Sequence, residues 1–407
     1  MNDNLWDRGS IFKNEGVFDE SYTPEEMPER LDERKEMING LGPAFNDGTP
    51  RNMFLQGKSG QGKTAIARKM LTEFEARAEE MGENVATYFL PCANTSSSYH
   101  LACNFVEEHT GTSPNGKDRR AVFNEMYSVL EDQADVSVLI LDEVDHIQDE
   151  DEGLLYDIPR ARDNGHISEN ARVSIIGISN DSSFLTTLSS KARDSLAERV
   201  INFDAYDADD LYQILGRRVE KAFVDGAVSD GAIRLCAAYA AQDKGSARQA
   251  IDYLYEAGDI ALDDGDNEVT DDHVQRAEER VDRRHVDTSI RGLTLQDRLP
   301  LAALVALESD GEAPARTREI YREYQYYANQ NDNAIAFDRV RMHLKELQTM
   351  GIVDSEKRTG GGVGGEKYYW SLDTDLEATR NTLEREMEKR SDVDDLDISQ
   401  AHTVALR

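Results

Sequence analysis

A chain of 407 residues, 39% of them hydrophobic and spread along its length, is long enough for two or three domains with their own cores. None of its apolar runs reaches the length of a bilayer span, and the three cysteines, Cys92, Cys103 and Cys236, form neither a Cys-x-x-Cys pair nor a zinc-finger spacing. Membrane-spanning, disulfide-stapled and thiolate-metal classes are thereby set aside. The net charge of −34 is uneven: residues 285–370 hold 11 Lys and Arg against 13 Asp and Glu, so most of the acidity falls on the first 284 positions.

Acidic excess of this kind suits solubility in concentrated salt, as in halophiles. At 1 M salt the Debye length is only about 3 Å, so a distant acidic surface hardly repels DNA. Residues 1–10 carry Asp3, Asp7 and Arg8 and lack the apolar segment of a secretory signal, which points to the cytoplasm.

In chain order, Met53-Phe54-Leu55 reads as a short strand that runs into a glycine-rich loop and then a helix opened by Thr64. Val85 to Leu90 is a second strand. Lys117, Arg119 and Arg120 precede a helix that runs to Leu130. Val136 to Leu141 and Val173 to Ile178 are continuous apolar strands, the first ending in acids and the second at Ser179-Asn180. Apolar, non-alternating strands separated by helices imply a parallel sheet covered on both faces. From Asp207 to about Arg283 only helical periodicity remains, and the charged residues Glu278 to His285 read as a linker. Residues 290–372 read as three helices, a glycine-rich turn and a strand. The stretch 373–407 reads as an acidic tail that ends without structure. No repeat of solenoid length is present.

Gly57-Lys58-Ser59-Gly60-Gln61-Gly62-Lys63-Thr64 matches the G-x-x-x-x-G-K-[ST] phosphate-binding loop in full, and Ala65 follows it into the helix. The glycines let backbone N–H groups turn inward around phosphates, Lys63 meets the outer phosphates, and Thr64 offers a hydroxyl to magnesium. The positive end of the following helix faces the same anion. Asp142, at the end of its apolar strand, is placed to hold magnesium, and Glu143 to orient and deprotonate an attacking water. Asn180, after the next strand, can hydrogen-bond the terminal phosphate or that water. In the helical region, Gly245-Ser246-Ala247-Arg248 puts Arg248 in the first turn of a helix, where it could reach the nucleotide from a lid. Tyr206, at the start of that region, is a further nucleotide-side candidate. These residues make the chain an ATPase that takes ATP, ADP and Mg2+.

Several strings in fixed order then converge. Ile11-Phe12-Lys13-Asn14, Tyr22-Thr23-Pro24-Glu25, the loop at 57–64, Leu141-Asp142-Glu143, Ile176 to Asn180 and Gly245 to Asp252 together resemble the archaeal origin-recognition and cell-division-control initiators of the AAA+ class. The resemblance covers roughly residues 10–370. It implies an α/β parallel-sheet ATPase base over 1–205, a helical lid over 206–284, an α+β winged-helix DNA-binding domain over 285–372, and the acidic tail. It also implies double-stranded origin DNA as partner, self-association on it, and recruitment or loading of a hexameric minichromosome-maintenance-type helicase. One position departs: Lys191 stands where the family has an arginine that reaches a neighbouring subunit's nucleotide, and an ammonium lacks the guanidinium's planar fork. Arg193, two residues on, is the alternative.

At the DNA end, Val340, Leu344 and Leu347 share one helix face, while Arg341, Lys345 and Gln348 share another, with Arg339 beside them. Lys357, Arg358 and Lys367 flank a run of glycines, as in a wing that touches phosphates or the minor groove. The region around Lys117, Arg119 and Arg120 is the candidate for the family's second, ATPase-borne DNA contact. Two other readings remain open at this stage: an ATP-switched transcriptional or plasmid-replication regulator, and a clamp-loader-like motor, against which Lys191 counts.

Overall fold

The computed structural model describes residues 11–401 except 20, 94, 96, 148–152, 330–333, 359–366 and 391–397. The chain divides into two compact units, Met1–Val274 and Gln275–Arg407.

The first unit opens with α1 (Leu31–Leu41), β1 (Met53–Gln56), α2 (Lys63–Met81), β2 (Val85–Pro91), α3 (Ser98–Thr110), α4 (Arg119–Gln133) and β3 (Val136–Asp142). It continues through α5 (Gly153–Asp157), β4 (Arg172–Ser179), α6 (Phe184–Thr187), α7 (Ser190–Leu196) and β5 (Arg199–Asn202). All strands are parallel, in the order β2-β3-β4-β1-β5. Alternate residues of one strand feed opposite faces, as the two-residue period requires. Val136, Val138 and Ile140 join Met53, Leu55, Ile66 and Met70 on one side, and Leu139 and Leu141 join Phe54, Phe105 and Met126 on the other. This double burial explains why β3 is apolar from Val138 to Leu141, while its one earlier polar residue, Ser137, is buried and donates to Leu130 O at 3.1 Å. The register sets Gln56 against Ser179 and Leu141 against Gly177, so the carboxyl ends of β1, β4 and β3 lie along one edge.

Three helices follow, α8 (Ala208–Ala222), α9 (Asp230–Asp243) and α10 (Ala247–Asp264), each opened by a side-chain cap: Asp207, Ser229 and Ser246 accept from the backbone N–H three residues on. Helix α11 (Asp271–Gly292) then runs through Glu278 to His285, the stretch expected to be a linker. Val274, Ala277 and Val281 recur at helical spacing and are buried, which a count of charges alone conceals.

The second unit contains α12 (Leu295–Ser309), β6 (Ala315–Arg316), α13 (Thr317–Asn329), α14 (Phe337–Thr349), β7 (Val353–Arg358), β8 (Lys367–Leu372) and α15 (Leu376–Arg390). Its antiparallel sheet has the order β6-β8-β7. Helix α12 is buried from Asp297 to Leu307 and forms the centre of this core. Val340, Leu344 and Leu347 of α14 are buried as expected. Trp370 is fully buried and its indole N–H donates to Thr317 Oγ1 at 2.9 Å. The acidic tail is not wholly without structure: α15 buries Leu383 and Met387 in the same core, and Arg385 donates to Asp287 at 2.9 Å. Its apolar residues are few, and acidic composition masks their spacing in the sequence. No helix among the described residues is long and apolar enough to cross a membrane.

Candidate functional site

A cleft of about 730 Å³ lies over the carboxyl edge of the parallel sheet, lined by Ser59 to Ala65, Arg68, Asp142, Glu143, Asn180, Tyr206, Arg248 and, from the chain's start, Phe18, Asp19, Ser21 to Met27 and Glu29. The loop turns there because two of its glycines take left-handed backbone angles beside close neighbours. Gly60 has φ +79°, and a Cβ on it would meet Ser246 Oγ at 1.9 Å. Gly62 has φ +83°, and a Cβ on it would meet the Tyr206 hydroxyl at 2.8 Å. Gly57 and Lys58 lie behind the cleft, and their carbonyls accept from Lys63 Nζ at 2.7 Å each. Lys63 is 4% exposed. Burial pushes its ammonium down to about 8, against the pull of Asp142, Asp145 and Glu143.

The acids stand opposite. Thr64 Oγ1 donates to Asp142 Oδ1 at 3.0 Å and Oδ2 at 3.1 Å, and burial raises the Asp142 carboxyl above its ordinary range. Glu143 holds a left-handed conformation with φ 56° and ψ 47°, one of two described non-glycine residues with positive φ. This turn aims its carboxylate along the sheet edge to Asn180, whose Nδ2 donates to Glu143 Oε1 at 3.4 Å. Asp145 Oδ1 is buried with no hydrogen-bond partner. A threonine hydroxyl beside carboxylate oxygens is a hard, all-oxygen donor set, and three clustered acids, one with an orphaned buried oxygen, favour a cation beside them. Both features fit Mg2+.

Sequence reasoning missed the wall opposite the loop. Residues 11–19 and 21–30 form a strap that joins base and lid. Phe12 and Phe18 pack, tilted or edge-on, against Phe223 and Tyr255. Glu29 accepts from Arg217 at 2.6 Å, Glu25 pairs with Lys221 at 3.4 Å, and Arg218 lies over the Tyr22 ring. Arg30 is 5% exposed, with its guanidinium over the Tyr206 ring. The strap's partners lie roughly 180 to 240 positions further along the chain, so no local period could reveal them.

Lys191 and Arg193 are exposed on α7 and line no part of the cleft. On the second unit, Arg339, Arg341 and Lys345 are exposed along α14. Gln348 departs from that face, since its side chain is tied to β7 through Asp354 and Ser355. Lys345 and Lys357 lie over the Tyr368 ring at 5.8 and 5.5 Å, while Arg358 lies over Tyr369 and pairs with Glu356 at 2.9 Å. Lys367 is exposed opposite Arg358, and the glycine run between them lies outside the described residues. In the first unit, Lys117 is paired with Glu125 and Arg119 lies against Phe123, while Arg120 is exposed.

Three family models match in succession: an AAA domain over residues 46–180, a Cdc6 AAA+ ATPase-type lid domain over 212–279, and a CDC6 C-terminal winged helix domain over 288–382. ORC1-type DNA replication protein 11 of Haloarcula marismortui is 38% identical over 381 residues, 92% of this chain and 91% of that one. ORC1-type DNA replication protein 8 of Halobacterium salinarum is 35% identical, over 93% of this chain and 96% of that one. Among solved structures, the Aeropyrum pernix ORC1 protein in complex with DNA superposes with a TM-score of 0.78 at 32% identity, covering 93% of this chain and 97% of that one. The A. pernix ORC2 protein, solved as ADPNP and ADP complexes, is 19% identical with a TM-score of 0.64 and shares the fold. The nucleotide-loop cleft, the helical lid and the winged helix thus occur in one chain in a single family's order, and the chain belongs to the ORC1/Cdc6 family of AAA+ DNA replication proteins.

Proposed function

We propose that the protein is an ATP-dependent replication initiator that grips double-stranded origin DNA, with nucleotide as its conformational switch and slow hydrolysis as its reset. The observation that carries this reading is the convergence of Lys63, Asp142, Glu143, Asn180 and Arg248 on one cleft, in a chain whose second unit presents exposed Arg339, Arg341 and Lys345 along one helix. Likeness to an ORC1 protein solved with DNA supports DNA as the partner.

In the cleft, the backbone N–H groups of residues 59–64 and the Lys63 ammonium neutralise the triphosphate. Thr64 and Asp142 would hold magnesium, which would supply divalent charge to offset that of the phosphates. Glu143 takes the proton of the attacking water, and Asn180 fixes the direction of its carboxylate. Arg248 reaches the outer phosphates from the lid, so occupancy of the cleft favours one lid position. The exposed α14 cations read the major groove, and Lys357, Arg358 and Lys367 meet the backbone beside it. Arg120 is the remaining candidate for an ATPase-borne contact. Because Lys191 and Arg193 line no part of their own cleft, either would act only on nucleotide held by another copy on DNA. Recruitment of a hexameric helicase is part of the same proposal, supported by the likeness to ORC1-type replication proteins.

The test is direct. In molar KCl, Lys63→Ala should abolish Mg-ATP binding while the full chain still shifts origin duplex. A wild-type chain that shifts no origin duplex at any salt would reject the DNA assignment.

A further inference from the structure

We propose that Arg30 is a positioning residue that sets the phosphate loop and the lid hinge together, so that one guanidinium couples nucleotide to lid angle. The idea rests on the nucleotide reading above and adds the part that transmits it. Arg30 lies in none of the loop, acid or lid motifs, yet its buried fork reaches three separate structures. Its Nε donates to Gln61 O at 3.1 Å and to the Tyr206 hydroxyl at 2.9 Å. Its Nη2 donates to Asp204 O at 2.7 Å, and its Nη1 to Glu33 Oε1 at 2.8 Å.

The first bond has a geometric consequence. In a trans peptide the C=O and N–H point in opposite directions, so a donor that fixes Gln61 C=O also fixes the Gly62 N–H. That N–H is one of the phosphate-cradling donors. The preceding peptide is held the same way from the lid: Ala247 N donates to Gly60 O at 3.0 Å, which fixes the Gln61 N–H. Two consecutive N–H groups of the cradle are therefore aimed from behind, one by the lid and one by Arg30.

The other bonds lead to the hinge. Asp204 and Tyr206 are residues between β5 and α8, where base gives way to lid. Tyr206 N donates to Gly245 O at 3.1 Å, and Gly245 stands just ahead of Ser246, the cap of the helix that carries Arg248. The neighbouring Glu29–Arg217 pair binds the same strap to α8. Turning the Gln61 peptide to meet a phosphate thus moves a group that also holds the hinge carbonyl and the hinge tyrosine. A lysine keeps the charge beside Glu33, but its single ammonium cannot face Gln61, Tyr206 and Asp204 together.

The experiment uses the full chain in molar KCl, with Arg30→Lys and, as a milder second variant, Tyr206→Phe. Spin labels go on Glu79→Cys in the base and Asp263→Cys in the lid, both exposed positions, while the native cysteines are buried. Affinity for a non-hydrolysable Mg-ATP analogue and the label–label distance distribution are both read. We expect each variant to bind about tenfold more weakly, the scale of one charge-assisted hydrogen bond, and to show a broadened distribution even at saturating nucleotide, where wild type is narrow. Distributions of wild-type width in saturated variants, with or without weaker binding, would overturn the coupling and leave Arg30 a wall residue. A wild-type chain that binds no Mg-ATP would instead overturn the nucleotide reading itself, a result told apart by the wild-type control.

Discussion

The nucleotide cleft and the exposed face of α14 use cations in opposite ways. In the cleft, Lys63 is desolvated and held by two carbonyls, Arg30 donates in four directions, and Asp142 is bonded twice by Thr64. On α14, Arg339, Arg341 and Lys345 stand in solvent above a buried apolar stripe. The cleft must present one geometry to a small, highly charged ligand, so its groups are fixed before the ligand arrives. The proposed DNA face would meet a long polymer whose bases vary, so exposed side chains suit it and their energy would come when the duplex docks. Rigidity belongs where the chemistry is constant.

The largest expected effect tests the fixed half. Glu143→Gln should lower hydrolysis by about 10²- to 10⁴-fold while leaving Mg-ATP binding near wild type, measured by phosphate release and equilibrium binding. Equal turnover would move the base elsewhere. Next, Leu383→Ala should destabilise the second unit by about 2–5 kcal/mol in denaturant unfolding, because α15 is part of its core and not an appendage. On the adaptable half, Arg341→Ala and Lys345→Ala should each weaken specific duplex binding by about 1–3 kcal/mol for every base edge that the side chain reads, against almost no change in ATP affinity. If both cost the same on random duplex, they touch phosphates only.

The smallest effect is a pH dependence confined to the cleft. With Lys63 held at about 8, nucleotide affinity should fall about tenfold per unit as pH rises above that value, since the phosphate must then be met by a newly bound proton. Below it, this group contributes no dependence. The nucleotide-free fold should move the opposite way, gaining stability between about 8 and 10.5, because there the unfolded chain binds the extra proton. Calorimetry across that window reads both signs, and the DNA face should show neither.

The contrast also explains what the sequence could disclose. Lys63, Thr64, Asp142 and Glu143 are legible because phosphate and magnesium demand set residue types at set spacings beside a strand end. Arg30 is not, because its partners at Gln61, Asp204 and Tyr206 meet only through the fold. Helix α11 is hidden by charge, since Glu278 to His285 looks like a solvated linker unless Ala277 and Val281 are read as a stripe. Gln348 shares a helical face with Arg341 on paper, yet β7 lies close enough to claim its amide. Periodicity sorts buried from exposed; it does not say which exposed groups find a neighbour.

The left-handed turn at Glu143 has an evolutionary edge. A side chain held at φ 56° costs the fold of order 1 kcal/mol that glycine would not. Selection for a firmer protein and selection for turnover therefore pull against each other at this single codon. A Glu143→Gly chain should melt higher and hydrolyse nothing, the mark of a position kept for its work against the interest of its own scaffold.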